Sequence, residues 1–527
     1  MTVAYVNQLV EEGHFAEIDA IFAKWLIAKV PEAKEEQAAF VAALFWSSRQ
    51  GHLCLSIDES LFSHIGEGRR ELLEHLKRGS QMASLDPFVK REGALFYLQK
   101  NWMYETHFLS HFKRLIAQSF QEIHLEREAG LTDEQHACIE GVLSHFFSVI
   151  CGGPGTGKTH TAKKIVEAFL KRDPEARILL AAPTGKAAKQ LKQSMPERVQ
   201  VTTLHALLGI HKEALFTEDP SPLMADLLIV DECSMVDARL FAHLFASIRE
   251  DTHLVLIGDP EQLPAVENGS LFADLVDLLK SRFPKHLFQL TKCLRSDRQE
   301  ILQFMHEVLR GELMQKRETE ALSFVDWDLT QRKTYEKIQQ LVESYAPLPS
   351  CSEPDPEVLI SQLSRFALLS CLRKGAFGVD ALNEMLARHF LEKRKGDELL
   401  AMPILITRSD AELDLSNGET GFLIRHARTE QDYAIFSKGA LTKIAASRLP
   451  SYEYAYCLSV HKSQGSEYDD VILLVPPGSD QLGREVIYTG ASRAKKRLRI
   501  AADEIVFKKA LLRPSRKISG LHARLTV

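Results

Sequence analysis

No stretch of this 527-residue chain stays apolar for the about twenty residues that a membrane-crossing helix needs. Its first residues, Met1-Thr2-Val3-Ala4-Tyr5-Val6-Asn7, lack the basic-then-apolar order of an export signal. The eight cysteines are scattered without a C-x-x-C pair, so neither a zinc site nor a disulfide framework is indicated. A reducing, cytoplasmic setting is the expectation that follows. Internal repeats and long low-complexity tracts are missing too. So is an excess of positive charge: the net charge of −6 argues against a passive nucleic-acid coat. Basic residues cluster only locally. Lys186, Lys189 and Lys192 form a stripe along one side of a short helix, and Arg493, Lys495, Lys496, Arg497 and Arg499 form a second group.

What is present is an ordinary globular composition, 45% apolar and 26% charged, on a length that suggests roughly three to four domains. Within it, Gly152-Gly153-Pro154-Gly155-Thr156-Gly157-Lys158-Thr159 fits the phosphate-loop pattern at every fixed position. The apolar run Phe146–Cys151 enters it and a helix-forming run from Ala162 leaves it, which is the strand, turn and helix order the motif needs. Glycines let backbone N–H groups close around phosphate oxygens, and the helix N-terminus adds partial positive charge. Lys158 would reach the outer phosphates of a nucleoside triphosphate, and Thr159 would hold the metal ion.

Residues 1 to about 110 read as mainly helical, with Leu9, Ile18, Ile21, Phe22, Trp25 and Leu26 at helical spacing. Phe88–Leu98 reads as a hairpin turning at Glu92-Gly93. This region proposes no chemistry and is expected to be a partner-docking domain. From there the pattern alternates between strand and helix. The short apolar runs Ile178–Ala182, Leu227–Val230 and Leu254–Ile257 suit parallel strands buried on both faces. The expected division is 1–110 for docking, 111–290 for a first ATPase domain and 291–527 for a second α/β domain. A small β-rich insert is expected within the second domain at about 395–450, around the turn at Asn417-Gly418.

Asp231-Glu232 directly follows the run Leu228-Ile229-Val230. Asp231 is placed to bind the phosphate-bound magnesium and Glu232 to orient and deprotonate the attacking water. Gln262, in Gly258-Asp259-Pro260-Glu261-Gln262-Leu263-Pro264, has the donor and acceptor needed to sense the γ-phosphate while touching the next domain. Arg295 and Arg493 are candidates for guanidinium groups that bind phosphate oxygens from the far side of the nucleotide.

Seven motifs in order resemble the set of superfamily-one DNA helicases: Gly152–Thr159, Ala182–Ala188, Asp231–Met235, Gly258–Pro264, Leu290–Arg295, Val460–Glu467 and Tyr488–Lys495. More narrowly, the chain is similar to the RecD family, the α subunits of exodeoxyribonuclease V. The resemblance spans about residues 130–505. It implies two RecA-like P-loop domains with parallel sheets and an ATP-hydrolysing motor that moves five-prime to three-prime on single-stranded DNA. RecB-like and RecC-like partners and work on duplex ends are implied with it. Gln135 matches the family's adenine-reading glutamine, and Thr202–Gly209 resembles a segment near bound DNA. Pro183, Thr184, Lys186, His205, His461, Lys462 and Gln464 fall by the same resemblance where one DNA strand would run.

Gly51–Leu55, Leu95–Glu105, Arg373–Asp380 and Asn417-Gly418-Glu419 are similar to further segments, the first two to those of the complex-forming branch. Departures are modest, with His160 and Ser492 each standing where Thr is usual. No nuclease carboxylate cluster is recognisable, so any cutting is expected of another subunit. A stand-alone helicase, and an ATP-dependent DNA clamp without processive unwinding, stay open beside the complex-subunit reading.

Overall fold

The computed structural model describes the chain except for residues 1, 58–61, 63–64, 66–67, 83, 119–122, 211–219, 266–268, 294–298, 313–317, 348, 351, 427–430, 438–440, 514–516 and 526–527. Helices α1 (Thr2–Glu11), α2 (Glu17–Lys29), α3 (Ala38–Arg49) and α4 (Arg69–Ser80) pack with a small antiparallel sheet of β1 (Leu55–Ser56), β2 (Val89–Glu92) and β3 (Leu95–Leu98). Glu92 pairs with Leu95, so the hairpin turns through Gly93-Ala94, and Gly93 takes the positive φ of 61° that a tight turn favours.

Helix α2 departs in part from a simple apolar-inward reading. Ile18, Ile21 and Trp25 face solvent at 48%, 58% and 44% exposure. Asp19, Ala20, Ala23 and Leu26 face inward. The cause is electrostatic: Asp19 accepts two hydrogen bonds from Arg49 of α3, at 2.7 and 2.6 Å, and the small alanines beside it let the helices close.

Helix α5 (Gln99–Ile116) then leaves this region and enters the next, so the expected boundary at 110 falls inside a continuous helix. Its Phe108, Leu109, Phe112 and Leu115 join the core on one face of a six-stranded sheet. That sheet is built in chain order by α6 (Asp133–Ser144), β4 (Phe147–Gly152), α7 (Lys158–Arg172), β5 (Ile178–Ala182), α8 (Gly185–Gln193), β6 (Gln200–Thr203), α9 (Leu204–Leu207), β7 (Leu227–Val230), α10 (Ala238–Ser247), β8 (His253–Gly258), α11 (Phe272–Arg282) and β9 (Leu287–Leu290). The strand order is β6-β5-β7-β8-β4-β9, all parallel. Alternation decides which core each residue joins. Leu228 and Val230 of β7 pack with α5, α10 and α11, whereas Leu227 and Ile229 pack with α6 and α7.

A second parallel sheet follows α12 (Gln299–Arg310), in the order β10 (Leu322–Phe324), β19 (Ala494–Ala502), β18 (Tyr468–Val475), β11 (Phe366–Ser370) and β17 (Cys457–Ser459). Helices α13 (Lys333–Glu343) and α15 (Val379–Lys393) cover one face, and α12, α16 (Arg484–Ala491) and α17 (Glu504–Leu512) the other. Between β11 and β17 the chain inserts a five-stranded antiparallel sheet, β12 (Leu400–Ile406), β13 (Thr420–Arg425), β14 (Tyr433–Ser437), β15 (Leu441–Ala445) and β16 (Tyr452–Tyr454). Helix α14 (Pro356–Arg365) packs Leu359 against it. The fold class is thus α/β, with two parallel sheets, a mainly helical N-terminal region and a β-rich insert in the second sheet's domain.

The C-terminal segment doubles back. After α17, residues 517–525 and their short helix α18 (Leu521–Arg524) run between the N-terminal region and the first sheet's helices. Leu53 donates its N–H to Ile518 O at 2.8 Å, Gly520 donates to Glu105 at 2.8 Å, and Arg282 donates to His522 O at 3.0 Å. The three parts of the molecule are therefore strapped together by the last turn of chain. Among the described residues no helix is long and apolar enough to cross a membrane.

Candidate nucleotide and nucleic-acid sites

The phosphate loop hangs from the carboxyl edge of β4, and Asp231 and Gly258 end β7 and β8 at the same edge. Parallel strands put these loops side by side because β8 lies between β7 and β4. Gly155 and Gly157 adopt φ of 78° and 85°, the left-handed turns that wrap backbone N–H groups inward. The loop is tight. A Cβ on Gly152 would stand 2.5 Å from Thr156 Oγ1 and 2.9 Å from Leu290 O. Lys158 Nζ rests on the loop's own carbonyls, 2.7 Å from Gly152 O and 3.0 Å from Gly153 O.

Pro154, Gly155, Gly157, Lys158, Thr159, Asp231, Glu232 and Gln262 line one cavity of about 310 Å³, together with Gly465, Glu467 and Arg493 from the second sheet's domain. Asp231 and Glu232 stand next to each other, and Glu232 N donates to Asp231 Oδ1 at 2.8 Å. Burial, reinforced by the neighbouring Glu232 charge, pushes the Asp231 carboxyl upward; the Glu232 N–H and Lys158 pull it back. Adjacent carboxylates without an ion-pair partner among the described residues suit a divalent cation, which would neutralise them. Glu232 holds a φ of 55°, uncommon for a residue with a side chain and often tolerated where function requires it.

Arg493 is buried and rests on neutral oxygens of its own domain, donating to Thr489 O at 3.0 Å, Ser492 Oγ at 2.6 Å and Ser466 O at 3.3 Å. Its partner candidate Arg295 lies outside the described residues. Gln135 belongs to a helix cap: its N–H donates to Thr132 Oγ1 and its Oε1 accepts from Thr132 N, at 3.2 and 3.1 Å. Its Nε2 is buried and has no partner among the described residues. Next to it, Glu134 accepts from the N–H groups of Thr291 and Lys292, drawing the start of α6 to the end of β9.

The residues expected near DNA separate into two kinds. Thr184 caps α8 by accepting from Ala187 N at 3.2 Å, with Pro183 and Lys186 either side of it, and His205 is exposed on α9. Lys462 donates to Asn417 of the insert at 3.0 Å, and burial lowers the pKa of both Lys462 and His461. Gln464 Nε2 donates across the cleft to Leu263 O at 3.2 Å. Of the two basic groups, the second is largely matched by acids on the adjoining strand. Lys496 meets Asp469 at 2.9 Å and Arg497 meets Asp470 at 3.9 Å.

Sequence reasoning missed this Gln464 contact and three others that cross between domains. Lys189 of α8 pairs with Glu419 of the insert at 2.9 Å. Leu263 N donates to Thr489 Oγ1 at 2.9 Å, and Tyr488 OH donates to Asp259 Oδ2 at 2.9 Å. Apart from Lys189, which belongs to the basic stripe, these residues lie in segments already singled out, but pairing between distant segments leaves no local signal.

Residues 135–268 match the family model of an AAA domain, and residues 454–501 that of a UvrD-like helicase C-terminal domain. The RecBCD enzyme subunit RecD of Mycolicibacterium smegmatis is 30% identical over 480 residues, covering 85% of this chain and 85% of that protein. The subunit of the same name in Mycobacterium tuberculosis is 29% identical, covering 96% of this chain and 94% of its own. The ATP-dependent RecD2 DNA helicase of Deinococcus radiodurans is 28% identical, covering 70% of this chain but 48% of that protein.

Proposed function

This chain belongs to the RecD family, and we propose that it is the ATP-hydrolysing DNA helicase subunit of a RecBCD-like complex, with RecB-like and RecC-like partners. The observation that carries the mechanism is the shared cavity, where the phosphate loop and two carboxylates of one parallel-sheet domain face Arg493 of the other. A nucleotide held there touches both domains, so its hydrolysis changes how they sit against each other.

In this reading the loop's N–H groups and Lys158 hold the β- and γ-phosphates, and Lys158 gives up its two carbonyl contacts to do so. Thr159 and Asp231 would hold the Mg2+ that accompanies ATP, which would neutralise charge on the phosphates. Glu232 takes the proton of the attacking water, Gln262 orients that water, and the bond from the γ-phosphorus to ADP breaks in line. Arg493 turns from neutral oxygens to the γ-phosphate, and Arg295 is proposed for the same face. Gln135 reads the adenine through its unused Nε2.

The DNA strand is proposed to cross both domains, over Pro183, Thr184, Lys186 and His205 of the first and His461 and Lys462 of the second. Alternating grip moves it five-prime to three-prime. The helices and hairpin before α5 are proposed as the partner-docking part. The stand-alone reading has less behind it, because the RecD2 relative aligns over only 48% of its own length.

The test is strand displacement on five-prime and three-prime tailed duplexes by the purified complex. The wild-type chain is expected to open the five-prime tailed substrate. Lys158→Gln should abolish its ATP turnover and its contribution to unwinding without changing the melting profile. Unwinding by that variant at the wild-type rate would overturn the mechanism, and a requirement for a three-prime tail would overturn the polarity.

A further inference from the structure

Tyr488 sits on α16 of the second domain, yet its hydroxyl is buried against the first. It donates to Asp259 Oδ2 at 2.9 Å, and a Cβ on Gly153 of the phosphate loop would lie 3.4 Å from it. The same Oδ2 accepts from Gln262 Nε2 at 3.2 Å, and Asp259 is 2% exposed. A carboxylate only accepts, so it fixes which end of the Gln262 amide faces it. The nitrogen turns to Asp259, and Oε1 is left buried without a partner among the described residues. Gln262 lines the nucleotide cavity, where the carbonyl oxygen is the end of the amide that accepts a hydrogen bond from water.

We infer that Tyr488 is a positioning residue for ATP hydrolysis: through Asp259 it sets the orientation of the Gln262 amide according to whether the two domains are in contact. The rest of the contact supports a cleft sensor rather than an isolated pair. Thr489, the next residue on α16, accepts from Leu263 N, and Gln464 donates to Leu263 O from the same domain as Tyr488. When the second domain withdraws, Asp259 loses the phenol that holds its carboxylate opposite Gln262, and the loop Gly258–Pro264 loses its outer supports. The inference rests on the proposed role of the cavity in ATP hydrolysis.

Tyr488→Phe removes the hydroxyl and keeps the ring. The readout is single-stranded-DNA-stimulated ATP turnover by the full chain with its partner subunits, after subtracting turnover by the Lys158→Gln complex. A charge-assisted hydrogen bond of this kind is expected to be worth on the order of tenfold in kcat. KM for ATP should stay within about twofold, since binding and chemistry are separated by this split. Asp259→Asn should lower kcat similarly, and the double variant should be no slower than the slower single one. Unchanged kcat in Tyr488→Phe, parallel changes in kcat and KM, or additive losses in the double variant would each overturn the relay. A wild-type complex whose turnover equals that of the Lys158→Gln complex would remove the underlying reading as well. Normal wild-type turnover with an unaffected Tyr488→Phe removes the relay alone.

Discussion

Arg524 and Glu105 form a buried ion pair between distant parts of the chain, with Nη1 donating to Oε1 at 2.9 Å. Glu105 also accepts from Tyr97 OH at 2.9 Å and from Gly520 N at 2.8 Å. Arg524 lies over the Tyr97 and Trp102 rings, at 5.3 and 5.6 Å from their centroids. Burial raises the Glu105 pKa, and its hydrogen bonds and Arg524 oppose that shift. Removing either member breaks a buried, hydrogen-bonded pair, so Arg524→Ala, which strands Glu105, should destabilise the chain by about 3–5 kcal/mol, and Glu105→Gln by less because Arg524 keeps Glu92 at 3.8 Å. Gly520→Ala should act in the same direction, because its Cβ would stand 1.8 Å from Tyr97 Oη. Chemical denaturation followed by circular dichroism checks all three.

A fragment beginning at residue 111 is expected not to fold. It removes Phe108 and Leu109 from the core of the first parallel sheet and cuts α5 near its end. Phe108→Ala in the full chain should cost about 3–5 kcal/mol, the range for an emptied aromatic site. If the fragment keeps wild-type nucleotide affinity and melting behaviour, the N-terminal region is separable after all.

His52 predicts an acid-sensitive strap. Its Nδ1 accepts from Ile518 N at 3.0 Å, which requires the neutral ring. Burial, with Lys517 and Arg513 nearby, lowers its pKa to about 3. The unfolded chain takes up this proton near pH 6.5, whereas the folded one resists it. The contribution to stability is therefore complete above about pH 6.5 and is lost as pH falls toward 3, by about 2 kcal/mol at pH 5. His52→Asn should flatten that part of the stability profile, measured by urea titration at pH 7, 6 and 5.

Glu419 of the insert pairs with Lys189 on the same helix as Lys186, and its carboxylate also accepts from Ser416 N at 3.1 Å. Glu419→Gln should free one cation, raise affinity for a thymidine oligonucleotide several-fold at low salt, and steepen the salt dependence by about 0.7 in slope. Fluorescence anisotropy across a salt series reads both. Weaker binding with an unchanged slope would mean that Glu419 serves only to shape the insert.

Much of the motor was legible because its signals are local. A phosphate loop announces itself by glycine spacing and a flanking strand, and Leu227–Val230 followed by Asp231-Glu232 carries the same kind of signal. The buried strands read as short apolar runs because both faces of each sheet are covered. Helix α2 was less legible, since its exposed Ile18, Ile21 and Trp25 have the spacing of a core stripe while the Asp19–Arg49 pair holds the opposite face inward. The hydrogen bond from Gln464 Nε2 to Leu263 O was not legible either, because it joins segments far apart in the chain.

The sequence by itself determined the short buried strands, the phosphate loop and the carboxylates that follow one of those strands, because each depends on neighbours within a few residues. Tertiary structure decided which residues meet across the cleft and across the chain: Tyr488 with Asp259, Lys189 with Glu419, and Arg524 with Glu105. Those pairings depend on how separately folded elements are brought together in space. A motif can specify a loop's shape, but only packing fixes what that loop touches.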